Sequence, residues 1–131
     1  HVSSRRQRQM CIRDSILIGH SAGAGFLLKW LSENTHVTID TLICVAPWIE
    51  PNKRFASFLY DIKMDKTLTQ RIKHFHILHS TDDMEDVCTS VAGIQTAYPD
   101  ASYHLYKDKG HFCLSDLGTE KFPELWDIIQ N

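Results

Sequence analysis

Four short apolar or β-branched runs, at residues 16–19, 41–46, 75–79 and 102–106, constrain this chain most, because longer segments of different periodicity separate them. Runs of four to six such residues between turn residues suit buried strands. Residues 22–33 repeat Phe26, Leu27, Trp30 and Leu31 at helical spacing, and Asn34 is a suitable stop. Residues 85–98 repeat Val87, Val91, Ile94 and Ala97 ahead of Pro99, and residues 120–130 repeat Phe122, Leu125, Ile128 and Ile129. Residues 68–73 suggest one more short helix, and residues 47–65 and 107–117 are expected as loops. Strands alternating with helices predict an α/β domain, with a mostly parallel sheet between two helical layers and right-handed crossovers. Ligands of such sheets bind beyond the C-terminal strand ends, so the chemistry belongs there.

Composition removes several classes of function. A length of 131 residues suits one domain, and 43% hydrophobic with 23% charged residues argues against disorder. A formal net charge of −2 supplies no field for a polyanion, so no nucleic-acid partner is expected. No run approaches the roughly 18 apolar residues of a membrane span. Cys11, Cys44, Cys88 and Cys113 form no CxxC pair, which fits neither a zinc ribbon nor a disulfide framework. Isolated cysteines suit a reducing compartment, and a cytoplasmic location is the expectation. His74, His76 and His79 alternate with apolar residues, but no carboxylate or cysteine beside them completes a ligand set, so neither metal nor cofactor is expected. Residues 1–15 carry four Arg, lack an apolar centre and share no pattern with the rest of the chain. They are expected to be a disordered or non-native extension preceding a domain at 16–131, with a basic nucleic-acid arm as the alternative.

The chemistry concentrates at three strand ends. Gly19-x-Ser21-x-Gly23 joins the first strand to the first helix. A chain of this composition carries that pattern by chance only about 0.02 times. Such a turn lifts the Ser hydroxyl clear of the backbone, its glycines leave room for the tight bend, and the N–H of Ala22 faces the position of a tetrahedral oxyanion. A serine nucleophile needs a base and the base an orienting acid, in the order Ser, Asp or Glu, His for this architecture. Asp82-Asp83 follows the third strand, and Gly110-His111-Phe112 follows the fourth. Asp83 is the preferred acid, Asp82 is expected to cap the turn or the next helix, and Asp86 is a further choice. His20, Trp48 and Phe112 are candidate substrate-pocket residues, and Trp48, Phe55, Phe58 and Tyr60 could line an acyl pocket or pack under their loop.

The segments ILIGHSAGAGFLLKWL, LICVAPW, HSTDD and YKDKGHF resemble the small α/β-hydrolase-fold serine hydrolases that include retinoblastoma-binding protein 9 and its bacterial relatives. The resemblance spans residues 16–131 and implies a triad of Ser21, Asp83 and His111; small carboxylic esters are the expected substrates. The family's N-terminal strand, second oxyanion loop and first crossover have no counterpart here. The chain is therefore expected to be the C-terminal portion of such a domain, alone poorly soluble or weakly active. A thioesterase or lipase with the same triad is an alternative. So is a hydrolase-fold module that binds a protein partner without turnover, although the three retained residues disfavour it.

Overall fold

A computed structural model of the chain describes residues 15–54, 57–59, 61–119 and 121–130. The elements run β1 (Ile16–His20), α1 (Ala22–Glu33), β2 (Ile39–Val45), two 3-10 turns (Ser57–Leu59 and Leu68–Gln70), β3 (Ile72–Ser80), α2 (Glu85–Ala97), β4 (Ser102–Tyr106), α3 (Leu114–Leu117) and α4 (Pro123–Gln130). The strands form one sheet in the order β1-β2-β3-β4, and every neighbouring pair is parallel. Because all three pairs are parallel, every C-terminal strand end lies along the same edge of the sheet.

Strand alternation divides the core between the two faces. Leu42 and Cys44 of β2 join Phe75 and Ile77 of β3 in a cluster closed by Ala24, Leu28 and Leu31 of α1. Ile43 and Val45 join Leu78 in a second cluster, packed against Leu125, Ile128 and Ile129 of α4. Helices therefore cover both faces, and β2 is apolar nearly throughout because both of its faces are buried.

Several local expectations are corrected. The run at 16–19 suggested a buried strand, yet β1 is an edge of the described sheet, with Ile16 42% and Ile18 45% exposed. Of the stripe Phe26, Leu27, Trp30 and Leu31, Leu31 is buried and Leu27 packs against the core as expected, but Phe26 and Trp30 are exposed, and Ala24, Gly25 and Leu28 are buried in their place. The cause is close docking of the first helical turn. A Cβ on Gly25 would lie 2.1 Å from the Trp48 carbonyl oxygen, so a glycine outside the G-x-S-x-G motif sets which face turns inward. A Cβ on Gly23, the second glycine of the motif, would meet nothing within 4 Å.

The helix expected at 68–73 shrinks to one 3-10 turn, and β3 starts at Ile72. Arg71 holds this junction, donating to the carbonyls of Leu31 (2.9 Å), Val37 (2.8 Å) and Asn34 (3.2 Å), and to Asp65 Oδ2 (2.9 Å). It thereby satisfies carbonyls at and beyond the end of α1 that the helix leaves open. The closing helix starts at Pro123 rather than 120, since proline suits a first helical position. The loop expected at 107–117 contains α3. The expectation for the N-terminal extension lies outside the described residues up to 14, while the Ser15 carbonyl accepts the Thr41 N–H at 3.2 Å.

His76 and His104, from adjacent strands, bring Nδ1 and Nε2 within 3.0 Å. Burial holds both imidazoles below their ordinary value of 6.5, and the neighbouring His104 and His74 lower His76 further. The unfolded chain therefore takes up these protons more readily than the fold. The stability of the neutral pair is complete above about pH 6.5 and is lost as the pH falls from there through the folded values.

Two outcomes are expected from this packing. The melting temperature should fall between about pH 7 and about pH 5, and the double variant His76→Gln/His104→Gln should flatten that slope; an unchanged slope in the variant contradicts the assignment. In thermal melts Gly23→Ala should be neutral or stabilise by up to about 1 kcal/mol, while Gly25→Ala destabilises. Equal effects of the two would contradict the close contact at Trp48.

Candidate active site

Ser21 lies between β1 and α1 with φ 57° and ψ −122°. A non-glycine residue in so sparse a region costs about 1–3 kcal/mol and persists only where its surroundings hold it. Four backbone hydrogen bonds do so. The Ser21 N–H donates to the Val45 carbonyl at 2.9 Å. Its carbonyl accepts from the N–H groups of Ala24 (3.1 Å), Gly25 (3.2 Å) and Trp48 (3.1 Å). Gly19 is needed for the same bend, since a Cβ there would lie 2.7 Å from the Ala24 Cα. The first N–H groups of α1, Ala22 and Gly23, come just beyond the hydroxyl, where a helix has no internal acceptors for them.

The contact between Ser21 and Val45 is one of a series. Ala46 N–H donates to the Leu78 carbonyl at 2.8 Å, and Thr81 N–H to the Tyr106 carbonyl at 2.9 Å. Each residue just past a strand therefore stays tied to the next strand, and the loops leaving β1, β2 and β3 begin in register.

That register brings three distant side chains together. His111, in the loop between β4 and α3, has Nε2 2.9 Å from Ser21 Oγ. Its Nδ1 lies 3.0 and 3.1 Å from the two Asp83 carboxylate oxygens. With its proton on Nδ1, the imidazole donates to Asp83 and accepts from the Ser21 hydroxyl. The Asp83 side chain is fully buried and that of His111 is 18% exposed, so solvent reaches the imidazole but not the carboxylate. Met84 N–H also donates to Asp83 Oδ1 at 2.7 Å.

The remaining candidates fall elsewhere. Asp82 does not cap α2, whose N-cap is Met84 with no side-chain cap bond; it accepts the Ser80 hydroxyl and the Gly110 N–H instead. Asp86 binds Arg54 at 2.8 Å and Asn52 at 2.6 Å, away from His111. His20 sits beside these three side chains, its Nε2 2.6 Å from the His111 carbonyl oxygen. Phe112 is a core residue rather than a pocket wall. The positive φ of 60° that presents His111 turns Phe112 inward, where it stacks on Phe122 at 5.6 Å.

Trp48 does line a groove at Ser21, of about 460 Å³, together with Arg54, Met84, Glu85 and Asp86. Sequence reasoning missed those last four as groove residues, because they converge from a loop and from the first turn of α2. Phe58 is exposed and meets Phe26 at 6.4 Å, while Phe55 and Tyr60 lie outside the described residues. Among the described residues no group of three or more His, Cys, Asp or Glu is arranged to hold a metal ion. Burial pushes the Cys44 thiol up to about 12, so it is no nucleophile at neutral pH.

No family model and no curated protein matches the chain. Solved structures do. The ydeN gene product of B. subtilis superposes with a TM-score of 0.76 at 19% identity, over 98% of this chain and 71% of that one. A predicted CIB-like hydrolase from Thermoplasma acidophilum gives 0.56 at 15%, over 98% and 54%. An α/β hydrolase enzyme, MGS-MChE2, from a lagoon-sediment metagenome gives 0.56 at 14%, over 96% and 67%. The chain thus spans between about half and 71% of these neighbours. A parallel sheet with helices on both faces, superposable on these proteins over nearly the whole chain, is the α/β-hydrolase fold.

Proposed function

We propose that the chain is a serine hydrolase that cleaves small carboxylic esters through an acyl-enzyme. The observation that carries this reading is the unbroken hydrogen-bonded line from Ser21 Oγ through His111 to the buried Asp83, drawn from three separate strand ends. An α/β-hydrolase fold around that line supports it.

The chemistry follows from the positions. As Ser21 Oγ attacks the ester carbonyl, its proton passes to His111 Nε2, and the carbonyl π electrons move onto oxygen. Asp83 stabilises the imidazolium and holds its orientation without taking the proton. The Ala22 N–H donates to the developing oxyanion, an interaction worth about 2.7–4 kcal/mol where one such donor is removed. Collapse of the intermediate expels the alcohol, which takes the proton from His111. His111 then accepts a proton from water as the water attacks the acyl-enzyme, and the acid leaves with Ser21 restored. Trp48 and Met84 give the groove beside Ser21 apolar surface for a short acyl or alcohol group. Carboxylic esters, thioesters and long-chain esters all suit this triad, and a groove of about 460 Å³ favours the short chains.

The test is turnover of a panel of short-chain p-nitrophenyl esters, long-chain esters and thioesters, with folding of each variant checked by circular dichroism. Short esters should be cleaved best. Ser21→Ala should lower turnover by about 10³-fold or more, with a large loss for Asp83→Asn through the wrong imidazole tautomer. Equal turnover by the parent and a folded Ser21→Ala variant would overturn the reading.

A further inference from the structure

The loop that carries His111 is held by more than its own turn. Three consecutive backbone N–H groups, those of Lys109, Gly110 and His111, each donate to a side-chain oxygen. Lys109 N–H reaches Ser80 Oγ at 3.1 Å, Gly110 N–H reaches Asp82 Oδ1 at 3.0 Å, and His111 N–H reaches Asp116 Oδ2 at 3.0 Å. Two of the three acceptors belong to one unit, because the Ser80 hydroxyl donates to the same Asp82 oxygen. Ser80 is buried at the end of β3, so this unit is anchored in the sheet. Gly110 takes a positive φ of 53° and packs against the Asp116 carboxylate, which closes the loop from the opposite side.

We infer that Ser80 and Asp82 form a positioning pair that fixes the His111 imidazole between Asp83 and Ser21 by clamping the two backbone amides ahead of it. This rests on the proposed hydrolase reading and extends it to residues that touch no reacting atom. The adjacent aspartates divide the work, Asp83 holding the imidazole and Asp82 the Gly110 amide just ahead of it. The clamp has a physical reason. A loop histidine has several accessible backbone states, and a displacement of about 1 Å costs about 10²-fold in rate. A carboxylate accepting a backbone N–H makes a charge-assisted bond, stronger than a neutral one. The Ser80 hydroxyl, and to a lesser degree the Gly110 N–H, hold the Asp82 carboxyl below its ordinary value, so it is charged at neutral pH.

Asp82→Ala, Asp82→Asn and Ser80→Ala test the pair in the full chain. One readout is the far-downfield proton resonance of His111 Nδ1–H, which reports its bond to Asp83 whether or not the protein turns over ester; Asp83→Asn identifies it by abolishing it. The other is the split between kcat and KM on a short ester. Asp82→Ala should broaden or shift the resonance and lower kcat about 10- to 100-fold, with KM changed less than about twofold. Asp82→Asn keeps an oxygen for the Gly110 N–H and should restore most of both. Ser80→Ala should act in the same direction, more weakly, and serves should Asp82→Ala not fold. An unchanged resonance and kcat in Asp82→Ala, or a melting-temperature loss without either change, would overturn the pair. A parent that lacks the resonance would overturn it too. If the resonance behaves as expected but ester turnover persists in Ser21→Ala, the hydrolase reading fails while the clamp stands.

Discussion

The backbone of Ser21 is the point on which the site depends. Its φ and ψ lie where a side chain is unwelcome, and that bend aims the hydroxyl out of the sheet. The N–H is tied to the end of β2, and the carbonyl is shared by the first turn of α1 and by Trp48. Gly19 and Gly25 permit the approach, one beneath the helix and one against the Trp48 carbonyl. Loosening either side would let the serine relax toward ordinary dihedrals and swing the hydroxyl away from His111. Bonds at about 1 kcal/mol each suffice to offset strain of a few kcal/mol, so several are needed together.

The same logic runs along the sheet edge. Bonds from Ser21 to Val45, from Ala46 to Leu78 and from Thr81 to Tyr106 carry strand register into the loops. His111 thereby meets residues 90 and 28 positions earlier in the chain within about 3 Å. Burial of Asp83 adds a second effect. An ionised carboxylate without water around it interacts more strongly with a nearby imidazolium than an exposed one would. The groove beside Ser21 stays open, which leaves the Ser21 hydroxyl approachable while the Asp83 carboxylate is enclosed.

Much of the architecture was legible because it rests on short-range rules. Apolar runs marked four parallel strands, helical spacing marked α1 and α2, and the glycine-serine turn marked the point where strand meets helix. Ser21, Asp83 and His111 were nameable because chain order and strand-end placement leave few choices, and the structure brings those three into contact. What was not legible depends on long-range packing. Exposure of Ile16 and Ile18 follows from the position of β1 at a sheet edge, which no local pattern encodes. The inward face of α1 was only half legible: Leu27 and Leu31 fall on it, but small residues, Ala24 and Gly25, dock the helix where the larger Phe26 and Trp30 suggested a core. Phe112 is a pocket candidate by type and position, and only its packing against Tyr106 and Phe122 shows that it turns inward. Arg71, closing the end of α1 from 34 to 40 residues away, and Arg54 with Asp86, shaping the groove across 32 residues, are invisible to any window of sequence.

The central claim is that Ser21 is activated by His111 in the folded chain. The most direct measurement is reaction with a fluorophosphonate, whose phosphorus takes the serine oxygen as fluoride leaves, read as intact mass and then located by peptide mapping. The account predicts a single adduct on Ser21 in the parent, none in Ser21→Ala, and strongly slowed labelling in a folded His111→Ala variant. A folded parent that stays unlabelled, or labels as fast without His111, would contradict it.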